Sequence, residues 1–462
     1  MTNAADEVQR YPLKERARRF YRGTLFQAIV LGLVSFTQPG IWGALNNLGA
    51  GGQAEPYVVN AANVVTFAIM VVFAPLFGIL GNIYGMRWVL VFGTLGYAPY
   101  SAALYCNSVY GTQWFLIFGA ATCGLSASAL WTSEAAIAVG YPEPARRGLY
   151  IAIWLAINKI GSVIAGAIQL AINANINSKG SIAPSTYLVL VALQCLGPLL
   201  ALLISPPEKV LRADGTKVIF GGSNRTFRSE LKALGRVFQR KEILLLLPVF
   251  ISSQWGQTYN GNFLAAYFTV RARALMAFVV AIMGMFLNMA TGGLLDVRRY
   301  RRSVKARVSW LLIGTLFSAM WIWNILLQID YASRSVSLDW NSVGFHTGAA
   351  SYVFFRINYE MIGVWAYWIL GSYDSHSDTL ALTTGVLRSC ESLGSTFSYA
   401  VGSTKNASLL VNLLVAAVVF WASVPTSTWA SWIVPDVPKG EAESDDEENA
   451  PQVERVTITE KA

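Results

Sequence analysis

The stretch GILGNIYGMRW, residues 78–88, has a counterpart in GGLLDVRRYRR, residues 292–302. Each copy has a glycine, a leucine two positions later, then Asn82 or Asp296, and then basic residues. The copies begin 214 residues apart, at positions 78 and 292, which is about half of the apolar part of the chain. This distance predicts a duplicated unit that forms each half of the protein.

The sequence around the two copies is apolar enough to cross a membrane many times. Of the 462 residues, 54% are hydrophobic and only 13% are charged, against roughly 25% charged residues in soluble domains. The sequence predicts an all-α membrane protein with twelve transmembrane helices in two pseudo-symmetric six-helix bundles. The predicted spans are 24–45, 57–80, 88–106, 114–137, 149–173, 186–205, 243–267, 275–295, 308–329, 347–371, 380–403 and 406–432.

The polar stretches divide the chain into five parts. Residues 1–23 form a basic N-terminus, 24–205 the first bundle, 206–242 a basic linker, 243–432 the second bundle, and 433–462 an acidic tail. The tail is expected to be disordered, because it is polar, acidic and free of aromatic residues. Within it, Ser444 precedes three acidic residues, a pattern that an acidophilic kinase would accept; a tail without any switch is the alternative.

The distribution of basic residues predicts the orientation. The N-terminus, the tail and the loops on their side hold 27 of the 35 Lys and Arg. The loops on the opposite side hold five: Lys179, Arg271, Arg273, Arg334 and Lys405. Since positive loops remain in the cytosol, both termini are expected there. The net charge of +9 then reflects topology and attraction to anionic lipid, so no nucleic-acid partner is expected.

The repeated stretch resembles the cytoplasmic signature of the major facilitator superfamily, a Gly, Leu, Asp and Arg/Lys pattern after the second span. The first copy keeps Gly78, Leu80 and Arg87 but has Asn82 where the family has Asp, whereas the second copy keeps Asp296. The resemblance covers about residues 20–432. It implies the two-bundle fold, with a central cavity between the halves.

A second stretch, QPGIWGALNNLGAGGQAEP at residues 38–56, resembles the uncoordinated-ninety-three-like branch of that superfamily, especially its fungal members. The branch implies the same fold but not one activity. Some animal members regulate ion channels or escort receptors, and most fungal members resemble transporters of unassigned substrate. Pro39 is expected to interrupt the first helix, and the glycines of residues 49–52 permit a turn with positive φ.

Six ionisable residues fall inside predicted spans, on helices four, five, ten and eleven: Glu134, Lys159, Arg356, Glu360, Arg388 and Glu391. A lone charge at the bilayer centre costs roughly 3 kcal/mol, so such residues pair with one another or line a wet cavity. Helices four and ten, and five and eleven, correspond in a duplication. The resemblance implies that these helices face the central cavity.

Helical spacing groups these charges with other polar side chains. Tyr352, Arg356, Glu360, Gly363 and Tyr367 share one face of the tenth helix. Arg356 and Glu360 at i, i+4, and Arg388 and Glu391 at i, i+3, can pair within their helices. The pairs are either structural or part of a substrate site or gate. The candidate residues for substrate binding or gating are Arg356, Glu360, Arg388, Glu391, Lys159, Glu134, Tyr352 and Tyr367.

Motifs of catalysis and of metal binding are missing from the sequence. It has no ATP-binding G-x-x-x-x-G-K-[ST] loop, no H-E-x-x-H and no G-x-S-x-G. Its two histidines lie in predicted loops. We therefore expect no enzyme activity, no cofactor and no metal site.

Two functions remain open at this point. The first is a secondary transporter that moves a small polar or charged solute by alternating access, with a proton as the candidate coupling ion bound by Glu360 or Glu391. The second is a non-transporting regulator or escort, in which the charges are structural or contact a membrane-protein partner.

Overall fold

The computed structural model describes residues 12–143, 147–216, 218, 226–295, 297, 299–373, 377–404 and 408–437. Helices lie at all twelve predicted positions. They are α1 (Thr24–Asn47), α2 (Pro56–Tyr84), α3 (Met86–Tyr110), α4 (Gln113–Gly140), α5 (Arg147–Asn173), α6 (Pro184–Leu202), α7 (Lys241–Ser252 and Gln257–Tyr267), α8 (Val270–Leu295), α9 (Arg302–Ala332), α10 (Phe345–Tyr373), α11 (Ser377–Gly402) and α12 (Leu409–Trp432). Two short helices, Leu13–Arg22 and the linker helix Phe227–Val237, accompany them.

Nine of the helices within the described residues are long and apolar enough to cross a membrane. The other three are α7, α10 and α11. Helix α7 is interrupted by turns at residues 253–256, while α10 and α11 carry the internal charges Arg356, Glu360, Arg388 and Glu391. The predicted all-helical fold is confirmed, and two of these three helices, α10 and α11, hold six of the eight candidate site residues.

The buried apolar side chains form two cores, one in each half. One core lies between Val30 and Val218, and the other lies between Val237 and Val434. The first turns of α8 are an exception, because Val270 and Ala274 pack into the core of the N-terminal half. The halves also contact each other where α2 packs on α11 and α5 packs on α8.

Helix α1 deviates from regular geometry where the sequence predicts it. Residues Phe36–Gly40 form a π-helical turn that contains Pro39. Proline lacks an N–H group and its ring clashes with the preceding turn, so the regular hydrogen-bond ladder cannot continue. At the end of α1, Gly49, Ala50, Gly51 and Gly52 all have positive φ, between 49° and 78°. The expected glycine turn is thus confirmed, and the carbonyl oxygen of its first residue, Gly49, accepts a hydrogen bond from Arg273 of the opposite half.

We call the end of the bundle at Thr24 and Leu295 the linker side, and the end at Asn47 and Val270 the far side. On the linker side, Asn82 of the first repeated stretch donates a hydrogen bond to Glu230 of the linker helix, at 3.3 Å. Asp296 of the second stretch and the acidic tail with Ser444 lie outside the described residues.

Helices α7 and α11 approach each other closely at Gly394. A Cβ atom at this position would overlap the carbonyl oxygen of Ile251 in α7, and that backbone cannot rotate away as a side chain could. Gly385 on the same helix has open space around it. Small residues at helix contacts in membranes allow this kind of close packing.

We expect Gly394→Ala to lower the stability of the protein by about 2 kcal/mol or more, since overpacking forces the helices apart. The measurement is thermal unfolding of the purified protein in detergent. Gly385→Ala is the matched control and is expected to change stability by less than about 1 kcal/mol. Equal unfolding temperatures for the two variants would contradict the close contact.

Candidate functional site

An ion pair joins the two halves near the middle of the helices. Lys159 of α5 lies with its Nζ 2.7 Å from Oε2 of Glu360 in α10. The amide of Asn288 in α8 donates a second hydrogen bond to the same oxygen, at 2.9 Å. Since Lys159 and Glu360 belong to opposite bundles, any movement that separates the bundles here must break the pair.

Arg356 does not pair with Glu360 within the described residues, so that expected intrahelical pair is wrong. Its guanidinium donates to Oδ1 of Asn47, at 2.7 Å. Tyr352, one turn nearer the far side, donates its hydroxyl to the carbonyl oxygen of Asn47 at 3.0 Å. Arg356 and Lys159 therefore have different partners along this face of α10. Lys159 from the other half reaches Glu360, and Arg356 reaches the end of α1.

The expected pair within α11 is confirmed. Nη1 of Arg388 lies 3.0 Å from Oε2 of Glu391. The guanidinium also lies over two aromatic rings, 4.3 Å from the centroid of Trp131 in α4 and 5.2 Å from that of Tyr367 in α10. Such cation–π contacts hold the guanidinium in place where little water is present.

A cavity of about 120 Å³ lies beside this pair, between the two halves. Arg388 and Glu391 form its charged wall, and Trp42, Phe67 and Trp131 form its apolar walls. The side chain of Arg388 is 28% exposed and that of Glu391 only 5%. The cavity therefore presents a positive group next to aromatic surfaces, a combination typical of small-molecule sites.

Glu134 of α4 lies apart from both pairs and is 0% exposed. Its Oε2 accepts a hydrogen bond from the Ser35 hydroxyl at 3.1 Å, just before the π-helical turn of α1. Ser35 in turn accepts from the amide of Asn158 in α5, at 2.7 Å. The network joins three helices of the N-terminal half.

The eight candidate residues thus lie in four places. Arg356 and Tyr352 lie at Asn47, and Glu360 and Lys159 lie between the halves. Arg388 and Glu391 line the cavity, with the Tyr367 ring beside Arg388, and Glu134 lies within the N-terminal half. The polar members of the face predicted for α10 contact different helices: Tyr352 and Arg356 contact α1, Glu360 contacts α5 and α8, and Tyr367 contacts α11.

The prediction that Arg273 lies in a loop is wrong: α8 begins at Val270, and Arg273 is 0% exposed. Its guanidinium donates to the carbonyl oxygens of Leu48 and Gly49 at 2.7 Å and of Gly180 at 2.9 Å. It also reaches the carbonyl of Gln53 at 3.4 Å. One arginine of the C-terminal half thereby binds the positive-φ turn of the N-terminal half.

Further contacts close the far side. Lys179 donates to the carbonyl oxygens of Ala266 and Val336, at 2.7 and 2.8 Å. Asn60 donates to Asn262 and to the carbonyl of Gly402, at 3.0 and 2.9 Å. Nearby, Arg271 forms an ion pair with Asp339, and its hydrogen bonds hold the pKa of that carboxyl at about 2. The far side is closed by polar contacts between the halves.

The profile of the Major Facilitator Superfamily matches residues 23–399. The chain belongs to the major facilitator superfamily. An UNC93-like protein of Schizosaccharomyces pombe is 32% identical over 434 residues, covering 88% of this chain and 84% of that protein. This places the chain in the UNC93-like branch, the uncoordinated-ninety-three-like branch that residues 38–56 resemble.

Two other similar proteins come from a fungus and a plant. The "Notoamide biosynthesis cluster protein O'" of Aspergillus versicolor is 33% identical over 420 residues, 90% of this chain and 89% of that protein. The UNC93-like protein 1 of Arabidopsis thaliana is 26% identical over 413 residues, covering 88% and 89%. This major facilitator protein is therefore an integral, multi-pass membrane protein.

We expect Arg273→Gln to lower stability by about 3 kcal/mol, because carbonyl groups buried around the guanidinium lose their donors. Thermal unfolding of the purified protein is the measurement. Arg334→Gln is the control: Arg334 is also on the far side, but its side chain is 61% exposed, so little change is expected. If both variants unfold at the same temperature, Arg273 does not join the halves.

Proposed function

We propose that this protein is a secondary transporter that moves a small polar or charged solute by alternating access. The observation that carries the proposal is the ion pair between Lys159 and Glu360, which crosses from one bundle to the other in the middle of the helices. Transporters of this architecture bind their solute at the interface of the two repeats and rock one bundle against the other. An ion pair at that interface can form in one state and break in the next.

The candidate solute site is the cavity beside Arg388 and Glu391. Its charged and aromatic walls come from α1, α2, α4 and α11, so both halves contribute to it. A solute that replaces Glu391 as the partner of Arg388 would change the balance between the two conformations. Binding energy can shift that balance only if the contacts differ between the conformations.

The far-side contacts would then act as the gate. Arg273, Lys179 and Asn60 each donate to groups of the opposite half. All three contacts must break for the far side to open. Because they end on backbone carbonyl or side-chain amide oxygens, water can replace them as the gap forms.

A non-transporting regulator or escort is the second candidate. One observation favours it: Lys159, Glu360, Arg388 and Glu391 already have partners, so they satisfy one another without a solute. In that case the pairs hold the bundles together, and a membrane-protein partner binds elsewhere. The UNC93-like names of the relatives leave both candidates open.

We also propose that both termini lie in the cytosol, next to anionic lipid. The support is the excess of Lys and Arg on the linker side, 27 against five on the far side. The basic linker would then contact lipid headgroups from the cytosolic face.

The test is uptake by purified protein in proteoliposomes with an imposed pH gradient, screened with a panel of labelled anions, cations and neutral solutes. We expect at least one solute to accumulate, a protonophore to abolish its accumulation, and Arg388→Gln to reduce uptake at least tenfold. The control is Arg334→Gln, which is exposed and should transport normally.

The regulator hypothesis predicts that the protein takes up no solute. If no solute in the panel accumulates, and Arg356→Ala folds normally but no longer co-purifies with a membrane partner, transport is the wrong function.

A further inference from the structure

Glu134 is the one carboxyl of the candidate set that has no ion-pair partner in the described part of the chain. It is completely buried, and its Oε1 has no hydrogen-bond partner among the described residues. The indole N–H of Trp154 approaches the carboxyl without meeting hydrogen-bond geometry. An ionised carboxylate in such a place is strongly disfavoured, whereas the neutral acid is not.

The hydrogen bonds around Glu134 suit the neutral acid. Ser35 Oγ accepts from Asn158 and donates its single proton to Oε2 of Glu134. This gives Glu134 one donor in total, whereas ionised carboxylates in proteins are held by cations or by several donors. A protonated carboxyl keeps the bond from Ser35 and requires no counter-charge.

The neighbouring helices contribute few groups that titrate. Tyr97 of α3 and Arg388 of α11 are the charged or titratable groups within electrostatic reach. Among the described residues, the contacts that α1 and α5 make here come from Ser35, Asn158 and Trp154, which do not titrate. Arg388 is already engaged by Glu391 and lies over Trp131, one helical turn before Glu134.

The protonation state of Glu134 changes the charge within electrostatic reach of Arg388. With Glu134 neutral, the cations Lys159, Arg356 and Arg388 face two carboxylates, Glu360 and Glu391. One positive charge remains, on Arg356 beside Asn47. Arg388 shares its charge with Glu391, but it is the more exposed member of that pair, and it faces the cavity beside Trp42 and Phe67. An anion with an apolar ring fits that combination of charge and walls.

We infer that Glu134 carries the proton of this transporter, and that the proton accompanies an anionic solute whose charged group binds Arg388 and whose apolar ring packs on the aromatic walls. The inference rests on the proposed transport function. One proton and one monovalent anion together carry no net charge across the membrane. Loss of the proton from Glu134 places a negative charge within electrostatic reach of Arg388, which favours release of the anion.

Glu134 is connected through two hydrogen-bonded residues to the helix that carries the inter-half ion pair. Asn158, which holds Ser35 against Glu134, precedes Lys159, whose ion pair with Glu360 joins the halves. Ionisation of Glu134 would draw new donors toward it and shift α5 at this point. The proton site and the inter-half pair are therefore adjacent on one helix.

Infrared spectroscopy of the protein in nanodiscs at neutral pH tests the proton site without any solute. The expected result is a C=O band of a protonated carboxyl that disappears in Glu134→Gln and persists in the controls Glu360→Gln and Glu391→Gln. A wild-type spectrum without such a band, or one that Glu134→Gln leaves unchanged, would overturn the assignment. Because Gln resembles the neutral acid, Glu134→Gln should also keep the wild-type unfolding temperature, and a marked loss would count against a neutral Glu134.

Binding of benzoate, followed by tryptophan fluorescence, tests the class of solute. Benzoate should bind, and its affinity should fall about tenfold per pH unit once Glu134 ionises. Glu134→Gln should bind it with the same affinity at every pH, while Glu134→Asp should keep the pH dependence. Arg388→Gln should lose binding, and benzylamine should not bind.

Two outcomes would overturn the inference about the solute. One is that benzylamine binds and benzoate does not. The other is that wild-type affinity for benzoate shows no pH dependence, or that Glu134→Gln retains it. Neither measurement requires transport, so a negative uptake screen would defeat the proposed function and leave these results to be judged separately.

Discussion

A charged group inside a membrane needs a partner, and Lys159 finds its partner in the opposite half of the protein. Its ammonium group meets the carboxylate of Glu360 at 2.7 Å, where Asn288 adds a hydrogen bond. In a medium of low dielectric constant, separating the pair without replacing its contacts would be strongly unfavourable. The two bundles are therefore joined near the middle by an ion pair. When they separate there, each charged group needs a new partner.

A second connection, at the far side, has a different chemistry. Arg273 is buried among backbone carbonyl groups, and four successive residues with positive φ, 49–52, turn those carbonyls toward it. Here the glycines serve the geometry, since a β-carbon at Gly49 would overlap the backbone of α7 at Gly261. The halves are thus held by an ion pair near the middle and by a guanidinium–carbonyl cluster at one end, and rocking of the bundles must affect both.

Much of this arrangement is encoded locally and could be read from the sequence. Hydropathy predicts the helices, and Pro39 predicts the irregular turn of α1. The i, i+3 spacing predicts the pair of Arg388 with Glu391. The partners of Arg356 and Glu360 could not be read in this way. The spacing rule allows a pair within α10, but the rotation of α5 and α1 against α10 decides which cation reaches which acceptor, and no local pattern encodes that rotation.

Arg273 shows a different limit. The predicted start of its helix was five residues too late, because Arg271 and Arg273 make the first turn of α8 polar. Its position in the sequence is the signal that indicates a special role for Arg273. Most Lys and Arg residues lie toward the linker side, whereas Arg273 lies on the far side. Glu134 was recognised as a candidate, but only the contacts of the folded chain distinguish it from the paired carboxylates.

Lys159 and Glu360 join the halves through direct contact of their charged groups, and exchange of the two charges tests this contact. Lys159→Glu alone and Glu360→Lys alone each place like charges together, and each should lower the unfolding temperature. The double variant restores an attractive pair, and the account predicts that it regains most of the lost stability, with a coupling energy of about 1–3 kcal/mol. A double variant whose loss of stability equals the sum of the two single losses would contradict the account.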